Sequence, residues 1–188
     1  MMSGDSDEAL IARYARGDVA AFERLYRRHE MPVWRYLQRN VRHHATADDL
    51  LQEVWFAVAR DAADFAPTSR FTSWLFTIAH HRMIDFVRGR RPHASLDSLL
   101  QEGAAAPSLA ADPRTGPLAL ATSHAEAGAI VRALACLPEQ QREAFLLQIE
   151  GDLSVEEIAA ITLSSFETTK SRLRYARAKL RELLKEYA

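Results

Sequence analysis

Apolar side chains recur along this chain at intervals of three and four residues, and no stretch alternates apolar with polar as a half-buried strand would. Asp5 or Ser6 can cap a first helix that ends near Gly17. A second helix starts near Asp18, and Phe22, Leu25, Tyr26, His29, Val33 and Leu37 form its buried stripe. Pro32 falls inside it and predicts a kink. Thr46 followed by Asp49 has the spacing of a capping box, after which Leu50, Leu51, Val54, Trp55 and Val58 line one face of a third helix. A loop with Pro67 leads to a fourth helix, about 71–88, with Phe71, Leu75, Ile78 and Phe86 at apolar positions and Gly89 and Pro92 as stop signals.

The pattern then lapses. Residues 93–125 are rich in Ala, Pro, Ser and Gly, have no sustained period, and predict a flexible linker too long for a connection inside one compact domain. Helical periodicity returns near Glu126. Pro138 and Gly151 bracket a helix over 139–150, Ser154 with Glu157 forms a capping box opening a short helix through Ile161, and a long helix runs from about Phe166 to Glu186. The fold class is therefore all-α: two small helical domains, 1–92 and 126–188, joined by the linker 93–125.

Composition narrows the class further. A single cysteine, Cys136, excludes a disulfide scaffold and any paired-cysteine metal module. No apolar run reaches the ~18–20 residues of a membrane span, and the acidic, polar opening MMSGDSDEAL is wrong for a secretory signal. A reducing, cytoplasmic location is expected. The formal net charge of −1 hides an asymmetry. Residues 1–92 hold 14 Arg against 12 Asp and Glu, and residues 93–126 are acidic by three charges. Residues 158–181 carry six Lys and Arg against Glu167 alone, which points to an anionic partner.

That basic stretch sits in the strongest local motif. The short helix Val155–Ile161, a four-residue turn and the longer basic helix read as a helix-turn-helix, with Ile158, Ala159, Ile161 and Leu173 holding the two helices together. Lys170, Ser171, Arg174 and Tyr175 lie on one face that could reach base edges. Arg172, Arg177, Lys179 and Arg181 are better placed for phosphates, which set register without reading sequence. The turn position at Leu163 is a non-glycine residue where a left-handed conformation would cost about 1 kcal/mol, so the following helix could be capped by Ser164 or by Ser165.

The run LPEQQREAFLLQIEGDLSVEEIAAI with TTKSRLRYARAKLR resembles region four of bacterial sigma-70-type factors, in the short form of the extracytoplasmic-function (group 4) sigma factors. ADDLLQEVWFAV at 47–58 resembles region two of the same family, and FTSWLFTIAHHRMIDFVRGRRP at 71–92 resembles its promoter-melting and minus-ten segments. Together the likeness covers about residues 7–92 and 126–185.

The resemblance implies a factor that binds core RNA polymerase and directs it to promoter DNA, with no chemistry and no cofactor of its own. Asp49, Gln52 and Glu53 would contact the clamp coiled coil of the largest polymerase subunit, and the carboxy-terminal domain the flap of the second-largest. The three residues share one helical face opposite the apolar stripe and offer acceptors to Arg and Lys. Phe65, Thr68, Ser69 and Arg70 in the loop, then Ser73, Thr77, His80, His81 and Arg88 on the helix, would handle the minus-ten element, where unpaired bases must be captured by stacking and edge contacts. Thr168, Lys170, Ser171, Arg172, Arg174, Tyr175 and Arg177 would meet the minus-thirty-five duplex. Trp74 reads as core. The chain stops just after the last basic helix, which predicts no appended carboxy-terminal control domain, and the family analogy implies an anti-sigma factor.

Two departures from the family pattern leave promoter sequence open: Tyr175 stands where Arg is common, and His80-His81 replaces Arg-Asn. The rival reading is a stand-alone helix-turn-helix regulator. An enzyme reading finds little support. His43, His44, Asp48, Asp49 and Glu53, or His81 with Asp85, could be imagined as metal ligands, but paired Glu-x-x-His motifs, HExxH and Gly-rich phosphate loops are missing, so no metal site is expected.

Overall fold

A computed structural model of the chain describes residues 5–66, 68–90 and 124–185. Among them are eight α-helices and no strand. They are α1 (Asp7–Tyr14), α2 (Val19–Val41), α3 (His44–Asp61), α4 (Phe71–Arg90), α5 (His124–Ala135), α6 (Glu139–Gly151), α7 (Val155–Ile161) and α8 (Phe166–Leu183), with a single 3-10 turn at Ala62–Asp64. The linker expected over 93–125 lies outside the described residues, except that its last two positions already belong to α5.

Capping residues place most of the boundaries. Ser6 accepts the Ala9 amide and Asp18 the Ala21 amide, as the sequence suggests for α1 and α2. Helix α3 departs from expectation. It begins two residues before Thr46, with His43 as its cap, the Nδ1 of His43 accepting from the Thr46 amide. Pro32 sits inside an α2 that is continuous over 23 residues. Ser154 and Glu157 form the reciprocal capping box in full, and Ser165, not Ser164, caps α8. Leu163 takes up the left-handed conformation, with φ of 49°.

Helices α1–α4 and α5–α8 are two helical units packed against each other. Leu50, Leu51, Val54, Trp55 and Val58 of α3 are all buried, as are Leu25, Val33 and Leu37 of α2 and Phe71 and Leu75 of α4. Phe22 and Tyr26 contact the Trp55 ring, and Phe65, Phe71 and Trp74 contact one another, at 5.0–6.1 Å between ring centres, so Trp74 belongs to the core margin. In the carboxy-terminal unit Ile158, Ala159, Ile161 and Leu173 are buried between α7 and α8. The buried residues of both units form one contiguous cluster. At the junction α6 ends on Gly151, where a Cβ would come within 3.1 Å of Phe76 on α4 and 3.0 Å of Leu153. A side chain at this position would require Phe76 or Leu153 to shift by a few tenths of an ångström.

Candidate polymerase and nucleic-acid interfaces

Helix α3 buries one face and leaves the other empty. Asp49, Gln52 and Glu53 are exposed, one turn apart, and among the described residues no basic side chain pairs with Asp49 or Glu53. Asp48, one position away, is half-buried and accepts the Trp34 indole N–H at 2.8 Å. The single-residue step from Asp48 to Asp49 separates a structural carboxylate from a free one.

The loop before α4 and α4 itself are less open than the sequence suggests. Thr68 and Ser69 are exposed, with the Ser69 hydroxyl donating to the Ala66 carbonyl at 2.9 Å. Phe65 is half-buried against Phe71 and Trp74 rather than projecting for a base. Of the residues expected at the minus-ten element, Arg70, Ser73 and His80 meet the carboxy-terminal unit. Ser73 donates its hydroxyl to Glu157, and Arg70 lies 3.2 Å from the same carboxylate and donates to the Asp152 carbonyl at 3.1 Å. Thr77 turns back onto the Ser73 carbonyl at 2.7 Å. His80 is buried. Its Nδ1 lies 3.4 Å from the Tyr36 hydroxyl and 2.8 Å from Glu143 of α6, an ion-pair contact when the ring is protonated, although that Glu143 oxygen has no hydrogen-bond partner among the described residues. His81 and Arg88 remain exposed.

Beside this seam lies a charge cluster that periodicity did not reveal. Arg35 and Arg39 of α2 are buried, and both guanidiniums hold the carboxylate of Glu150 on α6, Arg35 at 2.8 Å. The Glu150 side chain is only 4% exposed. Burial pulls the Arg39 pKa down from its usual value, opposed by Glu150 and reinforced by Arg35. Burial also disfavours the charge on Glu157, but the Ser73 hydroxyl, the Ser154 amide and Arg70 outweigh it and hold its carboxyl below the ordinary carboxylate value. Tyr36, wholly buried and near Glu143, is pushed well above a normal phenol.

The basic helix α8 is largely free. Thr168, Lys170, Arg174, Tyr175 and Arg177 are exposed, while Ser171 and Arg172 are half-buried. Lys170 lies over the Phe166 ring, and Arg174 stacks on Tyr175 with its guanidinium carbon 4.9 Å from the ring centre. Arg172 and Arg177 are tethered to Gln140 and Gln148 of α6, at 2.7 and 2.5 Å. Such tethers hold long side chains in one orientation, which suits phosphate contacts. An apolar groove of about 220 Å³ opens between α5, α6 and α8, lined mainly by Leu134, Phe145, Ile149, Leu180 and Leu184. Among the described residues no three His, Cys, Asp or Glu side chains gather as a metal site, and no helix is long and apolar enough to cross a membrane.

Residues 25–93 match the family described as Sigma-70 region 2, and residues 127–180 match Sigma-70, region 4. RNA polymerase sigma factor CarQ of Myxococcus xanthus is 35% identical over 93% of this chain and 95% of its own length. ECF RNA polymerase sigma factor SigM of Mycobacterium tuberculosis is 31% identical over 95% of this chain and 85% of its own. Among solved structures, the sigma factor RpoE of Bartonella quintana, bound to the anti-sigma factor NepR, superposes with a TM-score of 0.68 at 28% identity, covering 87% of this chain and 96% of that one. CnrH, bound to the cytosolic domain of CnrY, gives 0.65 at 26% identity over 98% of this chain and 100% of that one.

The fold and both motif sets thus define a sigma-70-type transcription initiation factor. The chain belongs to the extracytoplasmic-function sigma factors. It binds core RNA polymerase and directs promoter-specific initiation.

Proposed function

We propose that the outer face of α3 docks on the polymerase clamp, that α4 with its preceding loop engages the minus-ten element, and that α8 reads the minus-thirty-five duplex. Residues 1–92 and 126–188 act as separate domains in this reading, and the acidic linker 93–125 spans them inside the polymerase, where negative charge suits a basic channel. The observation that carries the reading is the exposed, unpaired triplet Asp49, Gln52 and Glu53 on a helix whose other face is fully buried. A basic partner surface satisfies it with charge-assisted hydrogen bonds.

The groove between α5, α6 and α8 is the candidate seat for the polymerase flap. The seam between the two units covers Ser73 and His80, so minus-ten engagement through those residues requires the carboxy-terminal unit to leave α4. The complex of RpoE with the anti-sigma factor NepR supports an anti-sigma partner here as well.

The deciding experiment replaces Asp49 and Glu53 with Arg in the full chain. Core-polymerase binding and promoter-specific run-off transcription should be lost with the melting temperature unchanged, because both side chains are exposed. Survival of core binding would sink the clamp assignment. Tight operator binding by the wild-type chain alone, without polymerase, would favour a stand-alone regulator instead.

A further inference from the structure

Among the described Phe, Tyr and Trp residues of α1–α4, Phe56 is the one that is exposed, at 74%. Every other Phe, Tyr and Trp ring in this unit is buried or half-buried. Phe56 does not lie at the edge of the α3 apolar stripe, where partial exposure would be ordinary. It lies one turn beyond Gln52 and Glu53 and two beyond Asp49, on the side of the helix opposite Leu50, Val54 and Val58. One turn further on, the Arg60 guanidinium is tied to Asp61 at 2.6 Å.

This is an isolated ring encircled by charged and amide side chains with no partner of their own at Asp49 and Glu53. Water covers the ring in the free protein. Interfaces concentrate their affinity in such places, where a central aromatic loses its water behind a polar rim. A partner that matches this face needs basic groups for the rim and an apolar depression for the ring.

We propose that Phe56 is the hydrophobic anchor of the contact between this chain and the polymerase clamp, inserting between apolar side chains of that basic helical pair while Asp49, Gln52 and Glu53 orient it. The inference rests on the clamp assignment made above and adds a residue to it. The carboxylates govern encounter and its salt dependence, and the ring governs how long the complex lasts.

The test titrates full-length wild type, Phe56→Ala, Phe56→Leu and Glu53→Arg against purified core polymerase at two salt concentrations, with thermal melts and sedimentation of each free protein. Phe56→Ala should weaken binding by about tenfold or more, chiefly through faster dissociation, with a ratio to wild type that salt does not change. Phe56→Leu should recover most of the loss, and the melting temperature of both should equal that of wild type. If Phe56→Ala binds normally while Glu53→Arg does not, the anchor is wrong and the clamp reading stands. If both bind normally, the clamp reading itself fails. A lowered melting temperature in Phe56→Ala, or wild-type self-association that this variant abolishes, would assign the ring to the core or to a second copy of the chain and overturn the proposal.

Discussion

Glu157 accepts the Ser73 hydroxyl across the seam between the two helical units while its other oxygen closes the cap of its own helix on the Ser154 amide at 2.7 Å. One carboxylate therefore couples the start of α7 to the surface of α4. Glu157→Ala removes half of the capping box, worth about 1 kcal/mol, frees Ser73 and leaves Arg70 only its contacts with Asp152. A lower melting temperature together with faster proteolysis near the seam is the expected result.

The acid limb of stability follows from the same group. The folded Glu157 holds its proton less tightly than its ordinary value of 4.5, as Asp7 does relative to 3.8, where burial is outweighed by His29 and Arg28. The unfolded chain therefore binds more protons in the acid range, and stability rises with pH there. Their contribution is complete above the ordinary carboxylate values and disappears as pH falls through the lower folded ones. Urea titrations from pH 6 to about pH 3 should show a shallower acid loss in Glu157→Gln than in wild type.

Glu150 is the only carboxylate, among the described residues, to which Arg35 and Arg39 are bonded. Its replacement by Gln leaves two buried guanidiniums without a countercharge, a change that costs about 3–5 kcal/mol when the structure cannot relax. Here the seam can open instead. Glu150→Gln should raise the distance between labels placed on α3 and α8, read by energy transfer, and an unchanged distance with unchanged stability would show that the pair contributes nothing to closure.

Leu163 holds a left-handed backbone with a side chain 91% exposed, so it gains almost no packing for its strain. Leu163→Gly should stabilise the protein by up to about 1 kcal/mol, measured as a raised denaturation midpoint. A loss of stability would show that the turn depends on the leucine side chain.

On α8, Lys170→Ala and Arg174→Ala should relax selectivity at single minus-thirty-five positions, at a cost of about 1–3 kcal/mol on the cognate sequence. Arg172→Ala and Arg177→Ala should weaken binding nearly equally on all sequences and flatten its salt dependence. Uniform losses from the first pair would remove them from the base-reading face.

Helix order, the capping box at Ser154 and the buried faces of α3 and α7 were legible in the sequence because each is set by neighbours within two turns. Near misses were also local. Thr46 resembles a cap because its spacing to Asp49 is right, yet His43 takes that place, an imidazole nitrogen serving as acceptor as a hydroxyl does. Phe56 was equally legible, an aromatic residue on a face otherwise polar, but a single apolar residue leaves no periodic signal of its own.

By itself the sequence determined the all-helical class, the two motif sets and the exposed carboxylates on α3, since all depend on spacing along single helices. Tertiary structure alone decided that His80, Arg35 and Arg39 are buried and that Ser73 faces another unit. Their partners Glu143, Glu150 and Glu157 lie 63 to 115 residues further along the chain, as measured from the Glu143–His80 and Glu150–Arg35 pairs. A helical period says which face of a segment is apolar, but a polar face carries no mark of the distant charge that will come to cover it.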